Sequence, residues 1–278
     1  MLLPEQIISS LEEDVQKYFR QEKSIDYHCS DKISTKYDLK EKTRLVLWNI
    51  YKNEGFHVFM NTVNCMRKFE GRNLNDIMQV KGEVAEVVLE ILIKRFIAER
   101  KIHNWYVHKG VILGDKKNPK FSTEIDFILV TPQVVSVIEV KSLNGDKVIT
   151  GDCTLTARKG KDEELCKDIF AQNKIHIRTF WKNFKCAAKE ESGVVKSVLF
   201  SFSFGNITDN RSASKVDLMP VYTEDTIASY LEAIFCLNRN PVWEVEELEK
   251  LINNSQANYK VLYDKHMRYI NSIHPNNS

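Results

Sequence analysis

The chain has 278 residues, 43% of them hydrophobic, with 40 basic against 38 acidic side chains and a formal net charge of +2. This composition excludes a disordered chain and suits one large domain or a domain with extensions, while the charge balance excludes a general pull toward nucleic acid or membrane, leaving any such attraction to a local patch. The six cysteines form no CxxC pair, no apolar run reaches a membrane span, and MLLPEQIISSLEEDVQ lacks a basic-then-apolar leader pattern, so a soluble cytoplasmic protein with reduced thiols and no structural zinc is expected.

In chain order, residues 5–21 carry Ile7, Ile8, Leu11, Val15, Tyr18 and Phe19 as a helical stripe. Asp38 to about Arg67 predicts one or two helices broken near Gly55, and Leu74 to about Arg100 a long helix. The pattern then turns to β-branched and aromatic runs, predicting strands over 104–113, 121–130 and 134–143 and a short pair over 148–156 turning at Gly151-Asp152. Residues 162–187 return to helical spacing, 194–204 read as a strand, and 216–222 as an edge strand tolerant of Pro220. Two helices, about 224–237 and 244–270, close the chain. The order predicts an α/β fold, a mixed β-sheet flanked by helices with N- and C-terminal helical extensions. Its expected divisions are an N-terminal extension over 1–73, a central domain over 74–237 and a C-terminal extension over 238–278.

Charge sits in the most hydrophobic part of this pattern. If the turn Thr131-Pro132-Gln133-Val134 is closed by its outer residues, partners across the hairpin have numbers summing to 265, and Asp126 faces Glu139. Lys141 then shares the face of Glu139, two residues on. Like charges opposite each other destabilise a ladder, and the flanking runs Phe127-Ile128-Leu129-Val130 and Val134 to Ile138 are those of a central strand. Something must compensate the carboxylates: a buried Asp–Lys–Glu ion cluster, solvent on an open sheet face, or a divalent cation held by oxygens with Lys141 beside it.

Asp126 followed by Glu139-Val140-Lys141 resembles the PD-(D/E)XK nuclease signature. Gly82-Glu83 on the preceding helix, the block EIDFILVTPQVVSVIEVKSLNG, QNKIH (Gln172 to His176) and VVKSVLFSF resemble, in that order, features of the nuclease-related domain (NERD) group of that superfamily. The likeness covers about residues 76–235, with Phe127 standing where the group often has histidine. It implies a restriction-endonuclease-like fold and hydrolysis of nucleic-acid phosphodiesters, DNA ahead of RNA, with Mg²⁺ or Mn²⁺ as cofactor. Asp126, Glu139, the carbonyl of Val140 and Glu83 would hold the metal, Lys141 would orient water or stabilise phosphate charge, and Gln172 would bond a carboxylate or the phosphate. The alternative is a catalytically silent nuclease-fold module for nucleic-acid binding or assembly.

Other residues keep two readings. Glu83, Glu86, Glu90 and Lys94 share one helical face and could be a solvated stripe, although Gly82 suggests a close approach that would bring Glu83 to the metal. Gln172 could be an ordinary helix glutamine, His176 a packed or surface histidine, and Glu124 a solvated carboxylate at the mouth of the site. Lys109, Lys116, Lys117 and Lys120, with Arg158, Lys159 and Lys161, could grip a nucleic-acid backbone or be soluble surface. The helical extensions could recognise substrate, form a homodimer or dock a protein partner.

Overall fold

The computed structural model describes residues 29–67, 74–115, 118–143, 145–159, 162–166, 168–189, 194–202 and 205–273. The stripe at 5–21 lies outside them. The chain divides into two compact units, Met1–Val88 and Leu89–Ser278.

In the first unit, helix α1 (Cys29–Arg67) is interrupted at Gly55, whose φ of 85° and ψ of 175° no helix accommodates. The break falls where the glycine predicts it. Tyr51 packs edge-on against Trp48 and Phe59, with ring centroids 5.7 and 5.9 Å apart. Leu47, Ile50, Phe59 and Val63 form its buried stripe. Helix α2 (Leu74–Arg100) runs across the division, with Val84, Ala85, Val87 and Val88 buried on the first side of it.

The second unit is built on a mixed sheet of order β1-β2-β3-β7-β9. Strands β1 (Tyr106–Asp115), β2 (Asn118–Val130) and β3 (Val135–Lys141) form an antiparallel meander, and β7 (Val195–Ser201) and β9 (Val221–Tyr222) add in parallel. Every residue of β3 but Lys141 is buried, as a strand with neighbours on both edges and helices on both faces should be. A smaller sheet of order β6-β5-β4-β8 comprises β4 (Asp146–Ile149), β5 (Leu155–Lys159), β6 (Asp162–Cys166) and β8 (Ile207–Asp209).

The alternation along β3 assigns the helices to faces. Ser136 Oγ meets Tyr230 Oη of α5 (Ile227–Phe235) at 2.7 Å. On that side the later half of α2 stacks Phe96 on Phe235 with centroids 6.1 Å apart. Val135 and Val137, which point the other way, join a core with Phe180 and Phe184 of α3 (Ile169–Phe184) and with Leu248 and Ile252 of α6 (Val245–Ser255). Helix α7 (Tyr259–Ile273) completes that side. The edge strand β1 is covered where α6 ends: the Gln256 amide accepts from Ile112 N–H and donates to its carbonyl, both at 3.0 Å.

Three predicted elements are corrected. The helix predicted over 162–187 begins only at Ile169, because Asp162–Cys166 pairs antiparallel with β5 and the Asp168 carboxylate, accepting from Ala171 N–H at 2.9 Å, caps the helix after it. The edge strand predicted over 216–222 shrinks to Val221–Tyr222, its first half being helix α4 (Ala213–Leu218) ahead of Pro220. The closing helix predicted over 244–270 is two helices parted at Gln256–Asn258.

Candidate active site

The predicted hairpin turn is closed as its sequence suggests, Thr131 N–H donating to Val134 O at 2.9 Å. The ladder then runs from Val130↔Val135 to Phe127↔Ile138, every pair summing to 265. It stops one pair short of Asp126 and Glu139. Instead of a backbone pair, the Asp126 carboxylate accepts the Val140 N–H through Oδ2 at 2.7 Å. A side chain thus takes the place of the last rung, which fixes Asp126 beside the strand that carries Glu139 and Lys141.

Glu139 is 1% exposed. Its Oε1 accepts from Lys141 Nζ at 2.5 Å, and its Oε2 lies 3.3 Å from His176 Nδ1 on α3. That second contact is too poorly aligned to be a hydrogen bond, so Glu139 Oε2 is a buried carboxylate oxygen with none. Burial pushes the Glu139 carboxyl up, but the Lys141 ammonium and His176 more than offset it, holding the group below the usual carboxylate range. Asp126 is half-buried and the Lys141 side chain is 27% exposed, so the cluster opens to solvent through these two residues.

The other predicted site residues are placed as follows. Glu83 is buried in α2 within the first unit. Its face of the helix is not a solvated stripe: Glu90 is buried too and pairs with Lys94 Nζ at 2.6 Å. The argument from Gly82 is overturned, since a Cβ there would meet nothing within 4 Å. Gln172 is exposed on the first turn of α3, and the polar residues that α3 turns inward are Asn173, His176 and Thr179. Asn173 Nδ2 donates to Ser197 Oγ at 2.7 Å, locking α3 to β7. His176, buried against Glu139, is the functional candidate that the sequence did not single out. Glu124 is not a solvated carboxylate but sits against α7, with Oε2 3.8 Å from His266 Nε2. Among the lysines, Lys120 is exposed and Lys109 half-buried. Lys116, Lys117 and Lys161 and the side chains of Arg158 and Lys159 lie outside the described residues.

The glycine that ends the hairpin block has a steric reason. Gly145 has φ 89°, and a Cβ on Gly205 would lie 2.3 Å from the Gly145 carbonyl oxygen. The segments leaving β3 and β7 therefore cross with no room for a side chain.

The donor set suits a hard divalent cation. Asp126 and Glu139 offer carboxylate oxygens from facing strand positions, and Glu139 Oε2 is buried without a hydrogen bond. Among the described residues no group of three or more His, Cys, Asp or Glu side chains is placed to hold a metal ion. Mg²⁺ rarely needs one, being bound typically by one or two carboxylates with water and phosphate oxygens completing its shell.

No helix among the described residues is long and apolar enough to cross a membrane. No curated protein and no solved structure matches the chain. Residues 70–201, which run from the start of α2 through β7 and contain Asp126, Glu139, Lys141 and His176, match the model of the nuclease-related domain. Over that span the chain is similar to the nuclease-related domain, in keeping with the PD-(D/E)XK nuclease group.

Proposed function

We propose that this protein is a metal-dependent phosphodiesterase that hydrolyses the backbone of nucleic acid, DNA ahead of RNA. The observation that supports it most is the convergence of Asp126, Glu139 and Lys141 on one hairpin, within the residues that match the nuclease-related family. A bound Mg²⁺ or Mn²⁺ would supply Lewis-acid polarisation of the phosphate and a water of lowered pKa. Asp126 and Glu139, with the Val140 carbonyl, would hold it. In the hydrolysis, the water oxygen forms a bond to phosphorus, the ester P–O bond breaks with its electron pair on the leaving sugar oxygen, and the proton lost by the water is matched by one that solvent delivers to that oxygen. Lys141, a compact ammonium, would stand beside the phosphate oxygens as their charge builds. His176 would keep the Glu139 carboxylate turned into the site, and Gln172 would bond the phosphate at its rim.

The test is digestion of circular, linear and single-stranded DNA and of RNA with Mg²⁺, Mn²⁺ or EDTA, for the wild type and for Glu139→Gln and Lys141→Ala. Both variants are expected to keep their far-UV circular dichroism and to lose cleavage by on the order of a hundredfold or more. Full cleavage by both would end the assignment. A second reading, the silent module, is favoured by the Lys141 ammonium that already faces Glu139, and nucleic-acid binding without cleavage under any metal would establish it.

A further inference from the structure

Helix α7 lies beyond the family match, yet it runs beside the strand that carries Asp126. Tyr269 packs edge-on against Phe121, with centroids 5.7 Å apart. One turn back, His266 Nδ1 is 3.1 Å from Ser122 Oγ while its Nε2 faces Glu124 Oε2 at 3.8 Å. At the start of the helix, Tyr259 reaches Gly110, where a Cβ would lie 3.2 Å from the Tyr259 hydroxyl and 3.3 Å from Glu124 Oε1. Lys109 pairs with Phe127 and Val111 with Ile125, so Gly110 stands across the ladder from Asp126. Residues of α7 therefore track β2 from Phe121 toward Asp126: His266 faces Glu124, and the Tyr259 hydroxyl and Glu124 Oε1 both lie over Gly110.

Glu124 shares a strand face with Asp126 by the two-residue period, and its side chain is 22% exposed. A carboxylate accepts hydrogen bonds only, so a ring proton on His266 Nε2 is the one that would favour Glu124, with the Ser122 hydroxyl then donating to Nδ1. The Tyr259 ring is itself held by stacking on Tyr263, at 6.1 Å and 29°. Glu124 is thus faced by His266 and lies, beside the Tyr259 hydroxyl, over the bare face of a glycine with φ +60°.

We propose that Glu124, faced by His266 and lying over Gly110, is a positioning residue for the cation that Asp126 and Glu139 would hold, accepting hydrogen bonds from the ion's water. This rests on the metal-dependent reading above. A magnesium-like ion keeps several waters when bound by so few carboxylates, and those waters need fixed acceptors. Groups in that outer position commonly change metal affinity by about 10–100-fold when removed.

The experiment measures Mn²⁺ affinity of the full chain, without nucleic acid, from the electron paramagnetic resonance signal of the free ion. Glu124→Gln is expected to weaken binding by about tenfold or more. His266→Asn, whose amide can replace only the Nδ1 contact with Ser122, should weaken it likewise, and His266→Gln, whose amide reaches the Nε2 position, should restore it. Tyr269→Leu loosens α7 against Phe121 without touching Glu124, and should lower the melting temperature with no change in affinity. Unchanged affinity in Glu124→Gln and His266→Asn, while Glu139→Gln abolishes binding, overturns this inference alone. No Mn²⁺ binding by the wild type overturns both it and the metal-dependent reading. Equal weakening in Tyr269→Leu and His266→Asn overturns it in favour of a purely structural role for α7.

Discussion

Glu139 is ionised in a place where an isolated carboxylate would not be, because Lys141 and His176 sit against its two oxygens. Replacing Lys141 by Met removes the first of them and leaves the charge buried. The expected loss is about 1–3 kcal/mol in metal-free urea titrations, below the usual figure for a broken buried pair because Lys141 is partly solvated. The sign with pH follows from the lowered folded-state pKa: the stabilisation is present above the ordinary carboxylate pKa and is lost as pH falls through the lower, folded one. The gap between wild type and Lys141→Met should therefore be widest near neutrality and narrow as the pH falls below the ordinary carboxylate range. A gap that holds constant to pH 3 would show that Lys141 stabilises by packing alone. The charged trio was legible because three ionisable residues interrupted apolar strand runs at same-face spacing. His176 was not, because nothing in the sequence states which turn of α3 lies over Glu139.

At the level of elements, the edge of the sheet is finished by a side chain. Gln256, in the break between α6 and α7, satisfies both backbone groups of Ile112 much as a neighbouring strand would. Gln256→Leu leaves a buried N–H and C=O unpaired and is expected to cost about 2 kcal/mol, with faster amide exchange at Ile112. Unaltered exchange there would mean that water serves as well. The strands and the Gly55 break were readable because local signals, β-branched alternation and a glycine needing positive φ, agree with the final structure. Asp162–Cys166 was misread because DEELC carries good helix formers, and only its pairing with β5, a tertiary fact, overrides them. The single helix predicted over 244–270 missed its break for a related reason, since no Gly or Pro marks Gln256–Asn258.

For the whole molecule, the family match ends at residue 201, but the structure does not. Trp243, Leu248 and Ile252 are at most 1% exposed and belong to the same core as Val111, Ile125 and Val137 of the central sheet. A chain ended at Ser201 lacks them, together with β9 and helices α5 to α7. It is expected to lose its near-ultraviolet circular dichroism and to bind hydrophobic dyes, the signature of a collapsed but unpacked state. Cooperative unfolding of that fragment would show instead that the matched segment is self-sufficient.

The turn between β2 and β3 is gripped from far along the chain. Val242 and Trp243 N–H groups both donate to the Pro132 carbonyl, at 2.8 and 3.0 Å, and Arg239 Nη2 donates to the carbonyl of Gln133. During synthesis the hairpin bearing Asp126 and Glu139 leaves the ribosome long before the residues that clasp it. A nascent chain therefore waits with those carbonyls turned to water, and the loop closure that seats Trp243 comes late. The arrangement delays a finished turn between β2 and β3 until residues 239–243 have been made.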